Sequence, residues 1–526
     1  MATQKATPQS QYTETDRLAR LTGTATLASD DREHIPVEAP FTGDVLGSIP
    51  ACTEADVGTA VERADEAQEE WAERPVSERC EIVLEYHDRV LDRQEELLDV
   101  LVAESGKARR HAFEEILDVP MTCQYYADNA PDYVATRERE GALPGLTETV
   151  EHQHPVGVVG LISPWNYPLS LAVSDAIPAL LAGNAVVLKP AEETPFTALL
   201  AIELFREAGL PEDVFQVVTG SGPELGTPLI DRADYIGFTG STATGRIVAE
   251  QAGANLMKCS MELGGKNPAI VLDNADVERA AEGLIRGAFT NAGQLCISFE
   301  RVYVHSDVHD AFLEEFVSRA RNLRVAAADD YDVEMGSLMS ADQLEKVSAH
   351  VDDAIAKGAT VHTGGQARPD LGPYFYEPTV LTGVTEEMEL AAEETFGPVV
   401  SIYEFDDEER AIERANDTDY GLNGSVWTED SERGRAIAKR IEAGTVNVNE
   451  AYAAAWASLD APMGGMKQSG IGRRHGKQGL RRYTEPQTVA EQRWLPMTAP
   501  PGVPMEWYAK GMTRAMGLLR RFPVLR

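Results

Sequence analysis

The sequence predicts an α/β protein, in which a doubly wound parallel sheet is followed by a second α/β domain. From residue 156 onward, short apolar strands such as VGVVGLIS, AVVLKP, VFQVVTG and YIGFTG alternate with helical segments. Loops between them are short, which favours parallel strands with helices on both faces of the sheet. The chain has 526 residues, too many for one ordinary core, so two or three domains are expected.

The part of the chain before this alternation is predicted to be mainly helical. Residues 1–35 are polar, and we expect a loosely ordered arm. Val37–Pro50 indicates short strands around a Thr-Gly turn. Apolar residues three and four apart predict helix over 56–106, and a second helical stretch begins at His111.

Within the alternating region we predict helices over 169–183, 194–209 and 241–254, the first two ending at glycine. A second set of elements begins near residue 268. Its predicted strands are AIVL, RVYVH, PTVLTGV, GSVWT and GTVNVN, and its predicted helices span 277–291, 308–322, 344–357 and 431–442. No internal repeat is apparent. Ligands bind doubly wound sheets at the carboxyl ends of the strands, so we expect the site there.

The charge balance is strongly acidic. The net charge is −39, from 86 acidic and 47 basic residues, and only 11 of the basic residues are lysine. Acid-rich, lysine-poor surfaces keep proteins hydrated in concentrated salt, so we interpret the surface as salt-adapted. Nucleic-acid binding needs basic patches and is disfavoured.

Several observations predict a cytoplasmic protein without a metal site. The first twenty residues are polar and do not resemble a secretory signal. Apolar runs are too short and interrupted to span a membrane. Five cysteines without a CxxC pair indicate reduced thiols and no disulfide framework.

The segment YIGFTGSTATG is a candidate phosphate-binding loop. Gly240, Ser241 and Thr242 directly follow a predicted strand and open a helix. Free amides and the dipole at a helix N-terminus favour an anionic phosphate. The glycine spacing is GxxxxG, ending at Gly245, and not GxGxxG. A capped helix after a tight turn therefore remains an alternative.

Two neighbouring loops strengthen this prediction. Lys189 and Glu192 follow another strand at the same sheet edge. A carboxylate there can accept hydrogen bonds from ribose hydroxyls and would repel a 2′-phosphate, so NAD is favoured, with NADP as the second choice. Gly220 and Gly222 would let adenine or ribose approach the backbone closely. A solvated loop is the alternative for Lys189 and Glu192.

Three turns and one cysteine carry candidate catalytic chemistry. Asn166 lies between two prolines in SPWNYP, and a rigidly held amide suits an oxyanion hole. Glu262 precedes two glycines in MELGGKNP, and Glu394 and Phe396 precede a Gly-Pro turn in EETFGPVV. Cys296 lies in FTNAGQLCISFERVYV, near the end of regular structure. Each turn alone also fits a purely structural role, and the cysteine fits a small buried apolar residue.

Together these segments resemble the aldehyde dehydrogenase superfamily over about residues 20–495. The most specific feature is MELGGKNP followed 34 residues later by the cysteine of GQLC. The resemblance implies that Cys296 attacks an aldehyde to give a thiohemiacetal and then a thioester. Asn166 and the Cys296 amide would hold the oxyanion, and Glu262 would activate water for hydrolysis.

The resemblance also implies a cofactor site. Lys189 and Glu192 would bind the adenosine ribose, Ser241 the pyrophosphate, and Glu394 the nicotinamide ribose. The full set implied for the cofactor is Ile162, Ser163, Pro164, Trp165, Lys189, Glu192, Gly220, Gly222, Gly240, Ser241, Thr242, Gly245, Glu262, Leu263, Gly264, Glu394 and Phe396.

The family fold implies a cofactor domain, a catalytic domain and a small bridging sheet, with homo-dimers or tetramers formed through the bridging strands. The domains assigned on this basis are a polar arm at 1–35, an NAD(P)-binding domain at 36–140 and 155–262, a catalytic domain at 263–470, bridging strands at 141–154 and 480–495, and a basic amphipathic tail at 496–526.

The C-terminal part resembles a bacterial branch named as succinic semialdehyde dehydrogenases. Well-studied members clamp the substrate carboxylate with two arginines, whose positions hold Ser174 and Thr290 here. Succinic semialdehyde and uncharged aliphatic or aromatic aldehydes therefore both remain open. Arg301 is a candidate substitute anchor, but a surface or domain-packing role is favoured for it. An apolar pocket would be lined by Tyr167, Leu171, Met463 and Trp456.

Acyl transfer to coenzyme A is disfavoured as an alternative to hydrolysis, because family branches with that activity lack the glutamate found at Glu262. A non-catalytic NAD-binding protein is disfavoured because the site residues are intact.

The tail can dock on the acidic body of its own or a neighbouring subunit, which we favour, or lie on a membrane surface. Its relevant side chains are Trp507, Met512, Met516, Leu519 and Phe522, with Arg514, Arg520 and Arg521.

Overall fold

A computed structural model describes residues 15–29, 32–142, 146–494 and 497–521, and these residues form the predicted α/β architecture. The strands, in chain order, are β1 His34–Glu38, β2 Val45–Pro50, β3 Arg137–Arg139, β4 Thr147–Pro155, β5 Val158–Ile162, β6 Ala185–Lys189, β7 Phe215–Val217, β8 Tyr235–Thr239, β9 Lys258–Glu262, β10 Asn267–Val271, β11 Phe299–His305, β12 Thr360–Thr363, β13 Thr379–Thr382, β14 Val399–Phe405, β15 Tyr420–Gly421, β16 Asn423–Trp427, β17 Thr445–Val448, β18 Met466–Lys467, β19 Gly470–Ile471 and β20 Thr484–Gln492.

Nineteen α-helices lie within the described ranges, in addition to short 3-10 turns. The α-helices are α1 Thr15–Leu21, α2 Glu54–Glu73, α3 Val76–Asp92, α4 Gln94–Ser105, α5 Arg109–Tyr133, α6 Ser170–Val173, α7 Ala176–Leu181, α8 Pro195–Glu207, α9 Gly222–Arg232, α10 Thr242–Ala254, α11 Val277–Phe289, α12 Ser306–Asn322, α13 Ala341–Ala356, α14 Glu389–Ala392, α15 Glu408–Asn416, α16 Ser431–Ala438, α17 Ala453–Trp456, α18 Gly476–Arg481 and α19 Met505–Arg521.

The first large sheet has six strands in the order β19-β9-β8-β5-β6-β7, and all neighbours are parallel except β19. The chain moves outward from β5 to β7 and then returns to β8 beside β5. This reversal leaves a crevice between the carboxyl ends of β5 and β8, which is where ligands bind such sheets. Leu188 and Val187 pack into different hydrophobic clusters, because alternate side chains face opposite sides of the sheet.

The second large sheet has seven strands in the order β12-β13-β14-β11-β10-β16-β17, with only β12 antiparallel to its neighbour. Its central strands β10 and β11 begin at Asn267 and Phe299, just after the two candidate catalytic segments. The site therefore lies between the carboxyl edge of the first sheet and the amino edge of the second.

A third sheet has three strands in the order β20-β4-β3. Strands β4 and β20 pair antiparallel from Thr147 opposite Gln492 to Pro155 opposite Thr484. These are the segments predicted as bridging strands. The sequence analysis did not predict the strands β3, β9, β12, β14, β15, β18 and β19.

Two predictions about local structure were wrong. The arm at 1–35 was expected to be loosely ordered, yet α1 is helical and buries Leu18 and Leu21 in the main core cluster; residues 1–14 and 30–31 lie outside the described part. The helix expected over 169–183 is broken into α6 and α7. Pro178 lacks the N–H that would bond the carbonyl of residue 174, which accounts for the break.

The tail forms α19, and its side chains are largely exposed. Trp507 is 72% exposed, and Met505 and Met516 are also solvent-facing. Phe522 and the side chains of Leu519 and Arg521, which the tail prediction includes, lie outside the described residues. Among the helices of the described ranges, none combines the length and apolarity needed to cross a bilayer.

Candidate active site

Two cavities meet between the large sheets, and both are lined by the predicted catalytic residues Cys296, Glu262 and Asn166. One cavity, of about 190 Å³, is mainly apolar. The other, of about 220 Å³, opens toward the N-terminus of α10. The three residues come from different segments, so the fold brings together side chains that are up to 130 positions apart in the chain.

Cys296 is positioned by an unusual turn. Helix α11 ends at Phe289, earlier than the predicted residue 291, and the next turn contains positive φ angles at Asn291, Ala292 and Gly293. A side chain at Gly293 would place its Cβ 2.0 Å from the Gly397 carbonyl oxygen, so this close approach requires glycine. The Cys296 thiol is left partly exposed to both cavities.

The electrostatic surroundings keep this thiol protonated. Burial raises the pKa of Cys296 to about 12, and the carboxylates of Glu394 and Glu262 act in the same direction, while Arg474 opposes them. A thiolate is the reactive form of cysteine. The free protein therefore needs a base to remove this proton at neutral pH.

Glu262 has the properties of such a base. It ends β9, and its side chain is buried with Oε1 lacking a hydrogen-bond partner. Burial raises its pKa to about 7, against the opposing charge of Arg474. A carboxyl group that titrates near neutrality can both accept and return a proton under working conditions.

Asn166 is held from both its side chain and its backbone. Its Nδ2 donates to the Gln294 carbonyl at 3.1 Å, which uses one of its two N–H groups. Its carbonyl accepts from Lys107 Nζ at 2.8 Å and from Asn291 Nδ2 at 3.0 Å. Lys107 is fully buried and ion-paired with Glu115. The second Asn166 N–H remains to donate into the cavity.

The same buried carboxylate fixes the chain after Asn166. Glu115 Oε2 accepts the backbone N–H groups of Leu169 and Ser170 at 2.9 and 3.0 Å. The ammonium of Lys107 also lies 3.8 Å above the Tyr167 ring. Sequence analysis missed this pair, because an isolated Lys and Glu eight residues apart give no signal of burial.

A second buried ion pair joins Lys266 to Glu300. Glu300 also accepts the backbone N–H groups of Thr395 and Phe396, and Phe396 has a φ of +56°. Glu394 accepts the Gly265 N–H at 2.8 Å. The loop that carries Glu394 and Phe396 is therefore tied to the turn that carries Glu262.

The predicted phosphate loop has a suitable geometry. Ser241 caps α10 by accepting the Thr244 N–H at 3.2 Å, and the first amides of the helix point out of its N-terminus. Gly245 also has a packing role. A Cβ there would lie 2.3 Å from Leu263, so this glycine allows α10 to pack closely.

The residues predicted to bind the adenosine ribose lie at the carboxyl ends of the next strands of the sheet, β6 and β7. Lys189 ends β6, and Glu192 follows it with a buried Oε2 that lacks a partner. A buried carboxylate oxygen without a partner can accept a hydrogen bond from a bound ligand. Gly220 has a φ of +139°, and a Cβ at Gly222 would lie 3.7 Å from Lys189 Nζ.

The structure gathers most of the predicted cofactor residues around the second cavity. Those that line it are Pro164, Trp165, Gly240, Ser241, Glu262, Leu263, Gly264, Glu394 and Phe396. Thr242 lines an adjoining depression with Ser241. Ile162 and Ser163 lie at the end of β5, where the Ser163 N–H donates to the Lys189 carbonyl at 3.1 Å.

The first cavity confirms the expected apolar lining. Its walls include the four predicted residues Tyr167, Leu171, Met463 and Trp456. Ser174 donates to Asp118 at 2.8 Å, and Thr290 donates to the Arg286 carbonyl at 2.7 Å, so neither position supplies a charge to the cavity.

Arg301 is not an anchor in this cavity, and the packing role favoured for it by the sequence is confirmed. Its guanidinium is buried beneath β11 and donates to the carbonyls of Lys266, Arg414 and Ala415. These bonds occupy the donors that a substrate carboxylate would need. The cavity instead contains Arg286 and Arg474, which sequence analysis missed.

Comparisons with known proteins point the same way as this geometry. A family model described as "Aldehyde dehydrogenase family" matches residues 27–489. A Mycolicibacterium smegmatis protein named "Putative succinate-semialdehyde dehydrogenase", with NADP(+) in its name, is 53% identical over 94% of this chain and 96% of its own. A similarly named Mycobacterium tuberculosis protein is 50% identical over 97% and 98%.

Solved structures show the same similarity. The NAD+ complex of an aldehyde dehydrogenase from Bacillus cereus is 37% identical, covering 88% of this chain and 93% of that one, with a TM-score of 0.84. A betaine aldehyde dehydrogenase variant from Staphylococcus aureus is 32% identical, covering 90% and 95%, with a TM-score of 0.85.

The raised pKa of Cys296 predicts how the thiol reacts with iodoacetamide. Well below a thiol pKa, the thiolate fraction grows about tenfold per pH unit, so alkylation of Cys296 should accelerate continuously from pH 6 to 9. Burial raises the pKa of Glu394 itself to about 7, so Glu394→Gln removes a carboxylate that raises the thiol pKa mainly above that pH, and it should speed alkylation most between pH 7 and 9. Peptide mass spectrometry measures the rate at Cys296, with Cys296→Ser as background. A rate that levels off below pH 8 would contradict the account.

Proposed function

The chain belongs to the aldehyde dehydrogenase family, and on this premise we propose that it oxidises succinic semialdehyde to succinate with NAD(P)+. One observation carries the proposal: Cys296, Glu262 and Asn166 face a single space where an apolar cavity meets the cleft that opens toward the N-terminus of α10. The substrate follows the names of the relatives, which specify succinate semialdehyde.

The cleft has groups that fit a nicotinamide dinucleotide. The N-terminus of α10 with Ser241 suits the pyrophosphate, and the unpartnered oxygen of Glu192 suits ribose hydroxyls. Glu394 and Phe396 would hold the nicotinamide end. When bound, the nicotinamide supplies one chemistry, the acceptance of a hydride from the substrate carbon.

In the first half-reaction the Cys296 thiol first loses its proton, and Glu262 is the base that is available to take it. The Sγ atom then forms a bond to the aldehyde carbon, and the carbonyl oxygen becomes an oxyanion. The free N–H of Asn166 Nδ2 and the Cys296 backbone N–H would donate to that oxygen. After the hydride leaves, the acyl group remains on Sγ as a thioester.

The second half-reaction removes this acyl group. Glu262 first releases to solvent the proton that it took from Cys296. It then takes a proton from a water molecule, whose oxygen attacks the thioester carbon, and the Cys296 sulfur leaves and recovers that proton from Glu262. The product is the carboxylic acid, with one water consumed. Transfer of the acyl group to coenzyme A remains disfavoured, because Glu262 is present and its pKa of about 7 suits hydrolysis.

A second candidate function is broad oxidation of uncharged aliphatic or aromatic aldehydes. The apolar lining of the substrate cavity favours it. Initial rates of NADH and NADPH formation with succinic semialdehyde, butanal and benzaldehyde separate the two candidates. A preference for butanal or benzaldehyde would favour the second.

The nucleophile is tested by Cys296→Ala, which we expect to abolish NADH formation with every aldehyde because no thiohemiacetal can form. Binding of NAD, measured by calorimetry, should be retained, since the cleft stays intact. Cys259→Ala serves as a control, because Cys259 lies on β9 near the site but lines neither cavity. Turnover by Cys296→Ala above a few per cent would refute the assignment.

We further propose that NAD is used in preference to NADP, with both accepted. Glu192 would repel the 2′-phosphate of NADP, while neighbouring Lys189 would attract it; the relatives named above carry NADP(+) in their names. Glu192→Gln should therefore raise kcat/KM for NADP relative to NAD by roughly tenfold, a change of about 1.4 kcal/mol. An unchanged ratio would place the discrimination elsewhere.

We propose that the chain forms a homo-dimer or tetramer in the cytoplasm. Strand β20 is paired on one side only and is almost fully exposed, so its free edge suits pairing with a second copy. All five cysteines are free thiols, which suits a reducing compartment. The acidic surface suits concentrated salt.

We propose that α19 docks on the acidic body of a neighbouring subunit. After Glu506 the tail has only basic charges, whereas the whole chain carries −39. Deletion of residues 500–526 should lower the oligomer mass measured by light scattering and leave co-sedimentation with anionic vesicles at background. Loss of vesicle binding with unchanged mass would instead assign the helix to a membrane surface.

A further inference from the structure

The substrate cavity is mainly apolar, and its charged lining residues are Arg286 and Arg474 together with Glu114, Asp118 and Glu262. A carboxylate that enters an apolar cavity needs a positive partner, because an unpaired buried charge is costly. The two arginines therefore determine whether the cavity can accept a charged aldehyde, and their surroundings differ sharply.

Arg474 is already committed to a partner. It is almost fully buried and donates to Asp175 at 3.1 Å, and Asp175 also accepts from Arg482 at 2.7 Å. Its positive charge also partly offsets the effect of burial, which raises the pKa of Glu262. A substrate carboxylate here would have to compete with Asp175 close to the proposed base.

Arg286 is much less constrained. Its side chain is 46% exposed, and its nearest carboxylates, Glu114 and Glu450, lie at 4.0 and 3.7 Å. Both separations are longer than a hydrogen bond. The guanidinium lies over the Tyr452 ring at 5.1 Å from the centroid, and Arg286 lines both the substrate cavity and a neighbouring, more open one.

The position of Arg286 on its helix is also suitable. It lies one turn before Thr290, and the Thr290 hydroxyl donates back to its carbonyl. Residues four apart lie on the same helix face, so Arg286 projects on the side of Thr290. The Tyr452 hydroxyl lies 3.2 Å from Thr290 Oγ1 and so joins the two positions at the cavity wall.

Glu114 is the internal competitor for this guanidinium. Its carboxyl accepts from the Tyr452 hydroxyl at 3.0 and 3.2 Å and from the Tyr167 hydroxyl at 3.4 Å. Burial raises its pKa. Glu114 is thus held by two tyrosines and needs no direct bond to Arg286. The Arg286 guanidinium can therefore donate hydrogen bonds to another carboxylate.

We propose that Arg286 binds the distal carboxylate of an anionic aldehyde and so determines the specificity of the cavity. This inference rests on the proposed aldehyde oxidation at Cys296 and identifies the substrate class as short aldehydes with a terminal carboxylate. A cavity of about 190 Å³ matches a substrate of a few carbons. The contact is a charge-assisted hydrogen bond without covalent chemistry.

The test compares succinic semialdehyde with butanal, which has the same chain length without the carboxylate. Arg286→Met removes the charge and keeps much of the apolar stem. We expect the ratio of kcat/KM for succinic semialdehyde over butanal to fall at least tenfold, mainly through KM. Arg286→Lys, which keeps a positive charge, should restore part of the ratio.

Two matched variants complete the design. Arg279→Met removes a charge from the same helix outside the substrate cavity and should leave the ratio unchanged. Glu114→Gln keeps a hydrogen-bond acceptor for the tyrosines but removes the competing charge, so KM for succinic semialdehyde should fall. Because Arg286 is half exposed, added salt should also weaken the preference for the anionic substrate.

The outcomes separate the two proposals. Absence of aldehyde oxidation by the unmodified protein would remove the proposed function itself. Oxidation of both aldehydes with an Arg286→Met ratio equal to that of Arg279→Met would overturn the anchor alone. Measurable butanal turnover by Arg286→Met shows that the variant is folded. If this variant has no turnover, Arg286→Lys and Glu114→Gln decide the outcome. An Arg286→Lys ratio equal to that of the unmodified protein, together with a KM that Glu114→Gln does not change, overturns the anchor.

Discussion

The geometry of the site depends most on the buried ion pair between Lys266 and Glu300. Lys266 lies four residues after Glu262, and Glu300 lies four residues after Cys296, so the pair joins the segments of base and thiol. Glu300 also accepts the amides of Thr395 and Phe396, which fixes the loop of the proposed nicotinamide site. Removing one partner of such a pair leaves an uncompensated buried charge, which typically costs roughly 3–5 kcal/mol.

A second buried pair, Lys107 with Glu115, does the same for the proposed oxyanion donor. It bonds the Asn166 carbonyl on one side and two backbone amides on the other. In both places a carboxylate satisfies consecutive backbone N–H groups that no helix or strand would satisfy. Irregular loops at the meeting of two sheets can therefore stay buried and rigid, which is what positioning of reactive atoms requires. In a chain whose surface is dominated by acidic residues, the lysines at these two points are buried and structural.

The sequence predicted the parts of the site that form compact motifs. The turns that carry Asn166, Glu262 and Glu394 were identified because prolines and glycines mark constrained backbone beside a polar side chain. The alternation of strands and helices also predicted the first sheet and its functional edge. The residues that complete the cavity were not predictable in this way. Arg474 and Arg286 carry no local pattern. Arg301 was considered as an anchor only because it lies near Cys296 in sequence, and such adjacency does not determine on which side of β11 a side chain lies.

The central claim is that Cys296 carries the substrate as a thioester that Glu262 hydrolyses. The most direct measurement is the intact mass of the Glu262→Gln variant, followed over time after mixing with succinic semialdehyde and NAD. Without Glu262 the Cys296 proton must pass to solvent, which slows acylation, but hydrolysis of the thioester should be slowed more. The account therefore predicts accumulation of a mass increase equal to one succinyl group, located at Cys296 by peptide mapping, together with about one equivalent of NADH per site. Unmodified Glu262→Gln protein with normal steady-state turnover would contradict it.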